Sequence, residues 1–195
     1  MFSSFLEGGK AGFITVLYSV GSRPLQLWTK HIEASGSGTL SRASDEDIQR
    51  GSCIQLTGSN VSTNYIRCPP RGSLGITMPY LCLILKNMSK DFSFEVGILD
   101  DSNTRRRFRA SNYSSNTRIS DFMCSIPMKL DSGWNLIVIN LSDFVKKAYG
   151  TSYASTEQIQ IHANCRIRRI YFSDRLYSDE ELPTEFKLFL NTRSR

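Results

Sequence analysis

Hydrophobic and polar positions along this chain alternate in short runs, and glycine, proline, serine and asparagine punctuate the gaps. "FITVLYS" and "LQLWTK" read as strands either side of a turn at "VGSRP". Segment 33–44, which opens with "EASGSG", is expected to be a flexible loop. "IQLTG" and "NYIRC" predict two strands around a turn at Gly58–Asn60. "YLCLILKN" is apolar on both faces, which predicts a central strand covered on two sides. "FSFEVGIL" alternates cleanly, with Phe92, Phe94, Val96 and Ile98 on one side, and "RRRFRAS" follows as its hairpin partner across "LDDSNT". "FMCSIPMKL" is a further run, where Pro127 favours an edge or a bulge. "GWNLIVINL" is a strand by its β-branched content. It leads into a helix over "SDFVKKAYG", with Ser142 as the expected N-cap, Leu141 as a staple and Gly150 as the stop. "EQIQIHANCRIRRIYFSD" holds two strands. In the second, Arg166 and Arg168 share a face that Ile170 and Phe172 then take over, so a bulge is expected near Arg168–Arg169. "SDEELP" carries a capping box, Ser178 with Glu181, ending at Pro183. The sum is about nine to eleven strands and one short helix, which points to an all-β, single-domain jelly-roll β-sandwich. One domain over 1–195, with a core from about residue 13 to 190, is the economical division.

Charge sharpens this picture. The net charge is +6, and sixteen arginines stand against eight lysines. An arginine-rich chain favours polyanionic partners, and arginine over lysine favours geometric pairing with carboxylate or phosphate. Five widely spaced cysteines without a CxxC pair are expected to be reduced and mostly buried. The N-terminal run lacks the basic start of a secretory signal, and no apolar run approaches membrane-spanning length. The four N-x-[ST] triplets, at Asn60, Asn87, Asn112 and Asn140, then read as chance matches, and the protein is expected to be soluble and intracellular.

The candidate chemistry lies in the arginines. On a strand over "RRRFRAS", Arg105, Arg107 and Arg109 share one face, and Arg106, Phe108 and Ala110 the other. Three guanidinium groups in a row need an acidic partner, and Glu95 on the neighbouring strand is the simplest internal one. Two further basic clusters are Arg166, Arg168 and Arg169, and Lys146 with Lys147. Catalysis has little support. His162 and Cys165 should point to opposite faces, and no phosphate loop, nucleophile elbow or HExxH is present. No acidic loop has calcium-ligand spacing, so no metal and no cofactor is expected. Sugar binding would need exposed aromatics. Trp134 shares a face with Leu136 and Val138 and is expected in the core, while Trp28 is open to either role.

Longer stretches then become specific. "VLYSVGSRPLQLW", "GSNVSTNYI", "LDDSNTRRRFRASNY", "PMKLDSGWN", "DFVKKAYGT" and "IQIHANCRIRRIYFSDRLYSDEELPTEFKLFL" resemble the cilia- and flagella-associated protein 20 family, over nearly the whole chain. The resemblance implies a jelly-roll sandwich shaped like a carbohydrate-binding module, and no enzyme. It implies a place at the inner junction of axonemal doublet microtubules, where the B-tubule is sealed onto the A-tubule. The implied partners are α/β-tubulin, a Parkin co-regulated protein in the same row and other microtubule inner proteins. It also implies links to basal bodies, centrioles and tubulin polyglutamylation, with some members in nuclei. Tubulin offers an acidic surface, so Arg105, Arg107, Arg109, Arg166, Arg168, Arg169, Lys146 and Lys147 are the candidate contacts by charge. Segment 29–44, "CPPRGS" and "NMSKDF" depart from the expected pattern, all in loops. Two competing classes are a nuclear nucleic-acid-associated role and, by fold analogy, a carbohydrate-binding module.

Overall fold

A computed structural model describes residues 12–34 and 36–190. The strands run in chain order as β1 (Phe13–Tyr18), β2 (Thr29–His31), β3 (Thr39–Ser44), β4 (Ser52–Thr57), β5 (Tyr65–Cys68), β6 (Tyr80–Asn87) and β7 (Ser93–Asp100). They continue as β8 (Arg105–Ser111), β9 (Arg118–Ile119), β10 (Met123–Pro127) and β11 (Gly133–Asn140), then helix α1 (Leu141–Tyr149), β12 (Tyr153–His162) and β13 (Cys165–Ser173). A short 3-10 turn follows at Thr184–Phe186.

Two sheets face each other as a jelly-roll sandwich. The first has the order β11-β6-β13-β4-β3, with β1 also on β13; the second has the order β2-β5-β12-β7-β8-β10-β9. From β4 onward the chain repeatedly crosses between layers: β4 to β5, β5 to β6, β6 to β7, β10 to β11, β11 to β12 and β12 to β13 all change sheet. Each crossing keeps the two-residue period, so the inward face of every strand meets the inward face of the opposite sheet. Leu56, Ile66, Leu81, Leu83, Leu85, Phe94, Val96, Ile98, Ile161, Ile170 and Phe172 fill the space between. Fully burying such a side chain contributes about 1.5–3 kcal/mol. Phe92, Phe94, Val96 and Ile98 are all buried, as the alternation predicts, and β6 is central and covered on both faces.

The bulge expected in β13 is present. Its register against β6 slips between Ile167 and Arg169, leaving Arg168 as the extra residue. The slip coincides with a change of neighbour on the other side of β13. Cys165–Ile167 pairs with β4, while Arg169–Ser173 pairs with β1.

Several expectations need correction. Segment 33–44 is not one loop, because Thr39–Ser44 forms edge strand β3 along β4. Of "LQLWTK" only Thr29 and Lys30 are strand, at the start of β2, and the residues before them turn, with Trp28 N–H donating to the Leu25 carbonyl. The helix N-cap is Asn140, not Ser142: Asn140 is extended, and its side-chain oxygen accepts from the Asp143 N–H at 3.2 Å. Strand β11 therefore feeds α1 with no loop between. Gly150 ends the helix in the left-handed region (φ 72°), as expected.

The face of β11 that holds Trp134, Leu136 and Val138 also turns outward, away from the second sheet. Trp134 is buried there, but Leu136 and Val138 are exposed. What covers Trp134 is a second, smaller apolar cluster on the outside of the first sheet. Phe13, Ile48, Cys53, Cys82, Ile84, Tyr171, Leu182 and Phe186 build it with Trp134. Segment 45–51 and the chain after β13 form its lid, and the capping box of Ser178 and Glu181 shapes that lid. The first sheet is thus covered on both faces over much of its area. The second sheet keeps one face open.

Candidate functional site

The open face belongs to the second sheet and centres on the β7–β8 hairpin. Asp100 builds the turn. One carboxylate oxygen accepts from Ser102 N–H (3.1 Å), Ser102 Oγ (2.7 Å) and Thr104 N–H (2.8 Å). The other accepts from Arg106 Nε and Thr151 Oγ1, both at 3.0 Å. Burial opposes its charge, but these bonds outweigh that and hold the carboxyl far below the usual range. The turn fixes the β7–β8 register, which sets Glu95 opposite Arg109, Gly97 opposite Arg107 and Leu99 opposite Arg105.

Arg106 turns to the other side of β8 and is consumed within the fold. Besides Asp100 it bonds the Asp121 carbonyl, and its guanidinium lies 4.4 Å from the Tyr149 ring centre. The outward arginines behave differently from one another. Arg109 grips Glu95 through both Nε (2.8 Å) and Nη2, while Arg107 reaches the same carboxylate at 3.5 Å. Arg105 is exposed, and no partner holds it among the described residues. His162 lies beside Glu95 at 3.6 Å. Its Nδ1 donates to the Val61 carbonyl (2.9 Å), and its Nε2 lies 3.0 Å from the Gln160 side-chain amide. Burial raises the Glu95 pKa, but the His162 and Arg109 hydrogen bonds and the charges of Arg109 and Arg107 overcome it, and the carboxyl sits at about 2.

The other basic clusters lie elsewhere. Arg166 is on the outside of the first sheet, where it donates to Gln55 (2.7 Å) and to Asp45 (2.6 Å). Asp45 is a buried hub that also accepts from Lys86 (2.8 Å) and from Trp134 Nε1 (3.3 Å). Arg168, the bulge residue, donates to the carbonyls of Ser52 (2.5 Å) and Gln49 (3.3 Å). Arg169 is buried, sandwiched between the rings of Tyr18 (3.7 Å) and Phe186 (4.4 Å), with Thr15 Oγ1 at 3.1 Å. Burial lowers its pKa. Lys146 donates to the Gly150 carbonyl (3.0 Å), closing its own helix, and Lys147 faces Asp143 at 3.8 Å. The structure therefore brings Arg105, Arg107 and Arg109 together and does not join them to Arg166, Arg168 and Arg169. That second set serves the lid on the opposite side of the sandwich, and Arg169 has almost no surface to offer a partner.

His162 and Cys165 stand apart in the same geometry. Cys165 points inward and is fully buried, and burial pushes its thiol far up; His162 is buried too, but against Glu95 and not against the thiol. All five cysteines are free and buried, with Cys68 pushed up to about 12 by burial. Among the described residues, no three His, Cys, Asp or Glu side chains gather as metal ligands. Neither tryptophan offers an open ring face: Trp28 and Trp134 are 7% and 8% exposed, and Trp28 Nε1 donates to the Val16 carbonyl at 2.8 Å.

Two residues of the open face escaped the sequence reading. Gly97 leaves the middle of the sheet bare, and Phe122, just before β10, is exposed. A glycine inside an otherwise strong strand is the available signal for the first, because it marks a place where something can approach the backbone. A lone aromatic in "SDFMC" signals nothing by itself.

Known proteins place this geometry in a family. A model of the CFA20 domain matches residues 4–190. The chain is 59% identical over 188 residues to cilia- and flagella-associated protein 20 of Chlamydomonas reinhardtii, covering 95% of this chain and 97% of that one. It is 58% identical to the protein of that name from Paramecium tetraurelia (95% and 96% covered) and 54% identical to that of Caenorhabditis elegans (95% and 91% covered). Among solved structures, the family 11 carbohydrate-binding module of a Clostridium thermocellum cellulase aligns with a TM-score of 0.49 at 11% identity, over 88% of this chain and 99% of that one. With its whole sandwich inside the matched region, the chain belongs to the CFA20 domain family.

Proposed function

We infer that this protein is a non-enzymatic structural component of the ciliary or flagellar axoneme, seated at the inner junction where the B-tubule joins the A-tubule of doublet microtubules. The observation that carries this reading is its 54–59% identity, across 95% of the chain, to proteins named for cilia and flagella. The fold suits the role. A sandwich with one sheet sealed by its own lid and the other open is a rigid block with one face free for a neighbour. The proposed partners are α/β-tubulin, a Parkin co-regulated protein in the same row and other microtubule inner proteins. Tubulin's acidic surface suits the exposed Arg105 and Arg107.

The test is a subtomogram map of axonemes from cells lacking the protein, set beside wild type. A regular row of density should vanish where the B-tubule meets the A-tubule. An intact junction in the mutant would refute the reading.

A further inference from the structure

A hollow of about 680 Å³ opens on the outer face of the second sheet. Its floor is Gly97. Arg105, Arg107 and Phe122 stand on one side, Gln158 and Glu157 on the other. Three features distinguish it from an ordinary dip in a sheet.

The first is the missing side chain. Gly97 has no positive φ, and a Cβ built on it would meet only Gln158, at ordinary contact distances of 3.7–3.9 Å. Nothing in the backbone demands glycine here, and a strand interior disfavours it. Its effect is to keep the floor empty. The second is uncommitted charge. Arg105 has no carboxylate, and Arg107, with its side chain 54% exposed, holds only the far edge of a Glu95 that Arg109 already grips. Two strands away on β9, Arg118 is also exposed on this face, with no partner among the described residues. The third is an exposed aromatic ring at the same rim, Phe122 at 66%.

We propose that this hollow is a docking groove for an extended acidic segment of a partner protein. Arg105 and Arg107 are two residues apart on one face of a strand, roughly 7 Å. Carboxylates at alternate positions of an extended peptide have the same spacing, so consecutive acids can meet consecutive arginines. Phe122 then covers the apolar stems of those side chains. Glu157 on the far wall chooses between polyanions. Its carboxylate can accept from peptide N–H groups, which a sugar-phosphate backbone lacks. The groove deepens the proposed function by naming the face that holds an acidic neighbour, and it rests on that reading.

The test uses the full chain and a fluorescein-labelled peptide of alternating glutamate and threonine. Its glutamine counterpart and an oligouridylate serve as competitors, all read by anisotropy. The glutamate peptide should bind at least about tenfold tighter than the glutamine one. Gly97→Val, which fills the floor with a residue that strands favour, should weaken binding about tenfold at an unchanged melting temperature. Arg105→Gln with Arg107→Gln should weaken it by about as much and leaves the floor alone, so it stands in if the valine variant folds poorly. Equal binding of both peptides, full binding by Gly97→Val or by the double arginine variant, or tighter binding of oligouridylate would each overturn the groove. The junction map separates the two ideas. A protein that sits at the junction yet ignores the peptide loses the groove alone; one that binds the peptide but is absent from the junction loses the proposed function alone.

Discussion

Replacing Glu95 with glutamine removes the carboxylate that ties Arg107, Arg109 and His162 together on the open face. Folding strengthens the acidity of this group, from an ordinary glutamate value of 4.5 to about 2. A carboxyl whose pKa falls on folding adds stability that is fully present above the unfolded value. That stability is lost as pH falls from about 4.5 towards about 2. At ~1.4 kcal/mol per pKa unit, the difference corresponds to about 3 kcal/mol at neutral pH. The Arg109 and Arg107 side chains are 38% and 54% exposed, so solvent screening reduces this to about 2 kcal/mol. For a chain of this length that is a drop of about 4–8 °C in melting temperature. Urea denaturation of the wild type and Glu95→Gln, followed by circular dichroism from neutral pH to about pH 3, reads it directly. The gap between the two proteins should hold from pH 7 to about 5 and then close. Parallel curves over that whole range would refute the linkage, and so would a gap below about 0.5 kcal/mol at pH 7. The same variant leaves Arg107 and Arg109 with no carboxylate, so the less stable protein should bind the acidic peptide more tightly.

Two further outcomes follow from the opposite side of the sandwich and from the core. Asp45→Ala strips the hub from Lys86, Arg166 and Trp134 Nε1 and should cost about 3 kcal/mol, with a red shift of tryptophan emission as the lid loosens. Asp143→Ala, at an exposed helix pair, should cost less than about 0.5 kcal/mol in the same melts, and equal losses would sink the hub argument. All five cysteines should resist Ellman's reagent in the native protein and react on unfolding; a thiol that reacts promptly without denaturant would contradict its burial.

The strands and their faces were legible because alternation is a local signal. Phe94, Val96 and Ile98 on one side and Glu95 and Gly97 on the other follow from period two alone, and so does the need for a bulge near Arg168. Which layer each strand joins was not legible. "IQLTG" and "NYIRC" look like a hairpin but lie in opposite sheets, since a crossing and a hairpin begin with the same turn residues. Charge clusters misled for a related reason. Arg166, Arg168 and Arg169 look like Arg105 to Arg109 in sequence, yet Asp45, 121 positions from Arg166, makes the first of them structural. Glu95 could be foreseen as a partner because it is one hairpin away. The helix cap slipped by two residues because Asn140 ends a strand and begins a helix at once.

One pairing has a consequence for how the chain comes to be folded. Strand β1 lies along β13, and Phe13 meets Phe186 with ring centres 4.5 Å apart, so the lid over the first sheet is fastened by both extremes of the described chain. A ribosome delivers Phe13 long before Phe186. Until the final stretch emerges, β1 has no strand to lie on and Ile84, Cys82 and Tyr171 have no cover. Cooperative closure must therefore wait until the segment around Phe186 has emerged, and a chain cut short before it keeps a greasy sheet in view of chaperones and proteases. Closure of this face is thus a late event that reports on both margins of the sandwich at once.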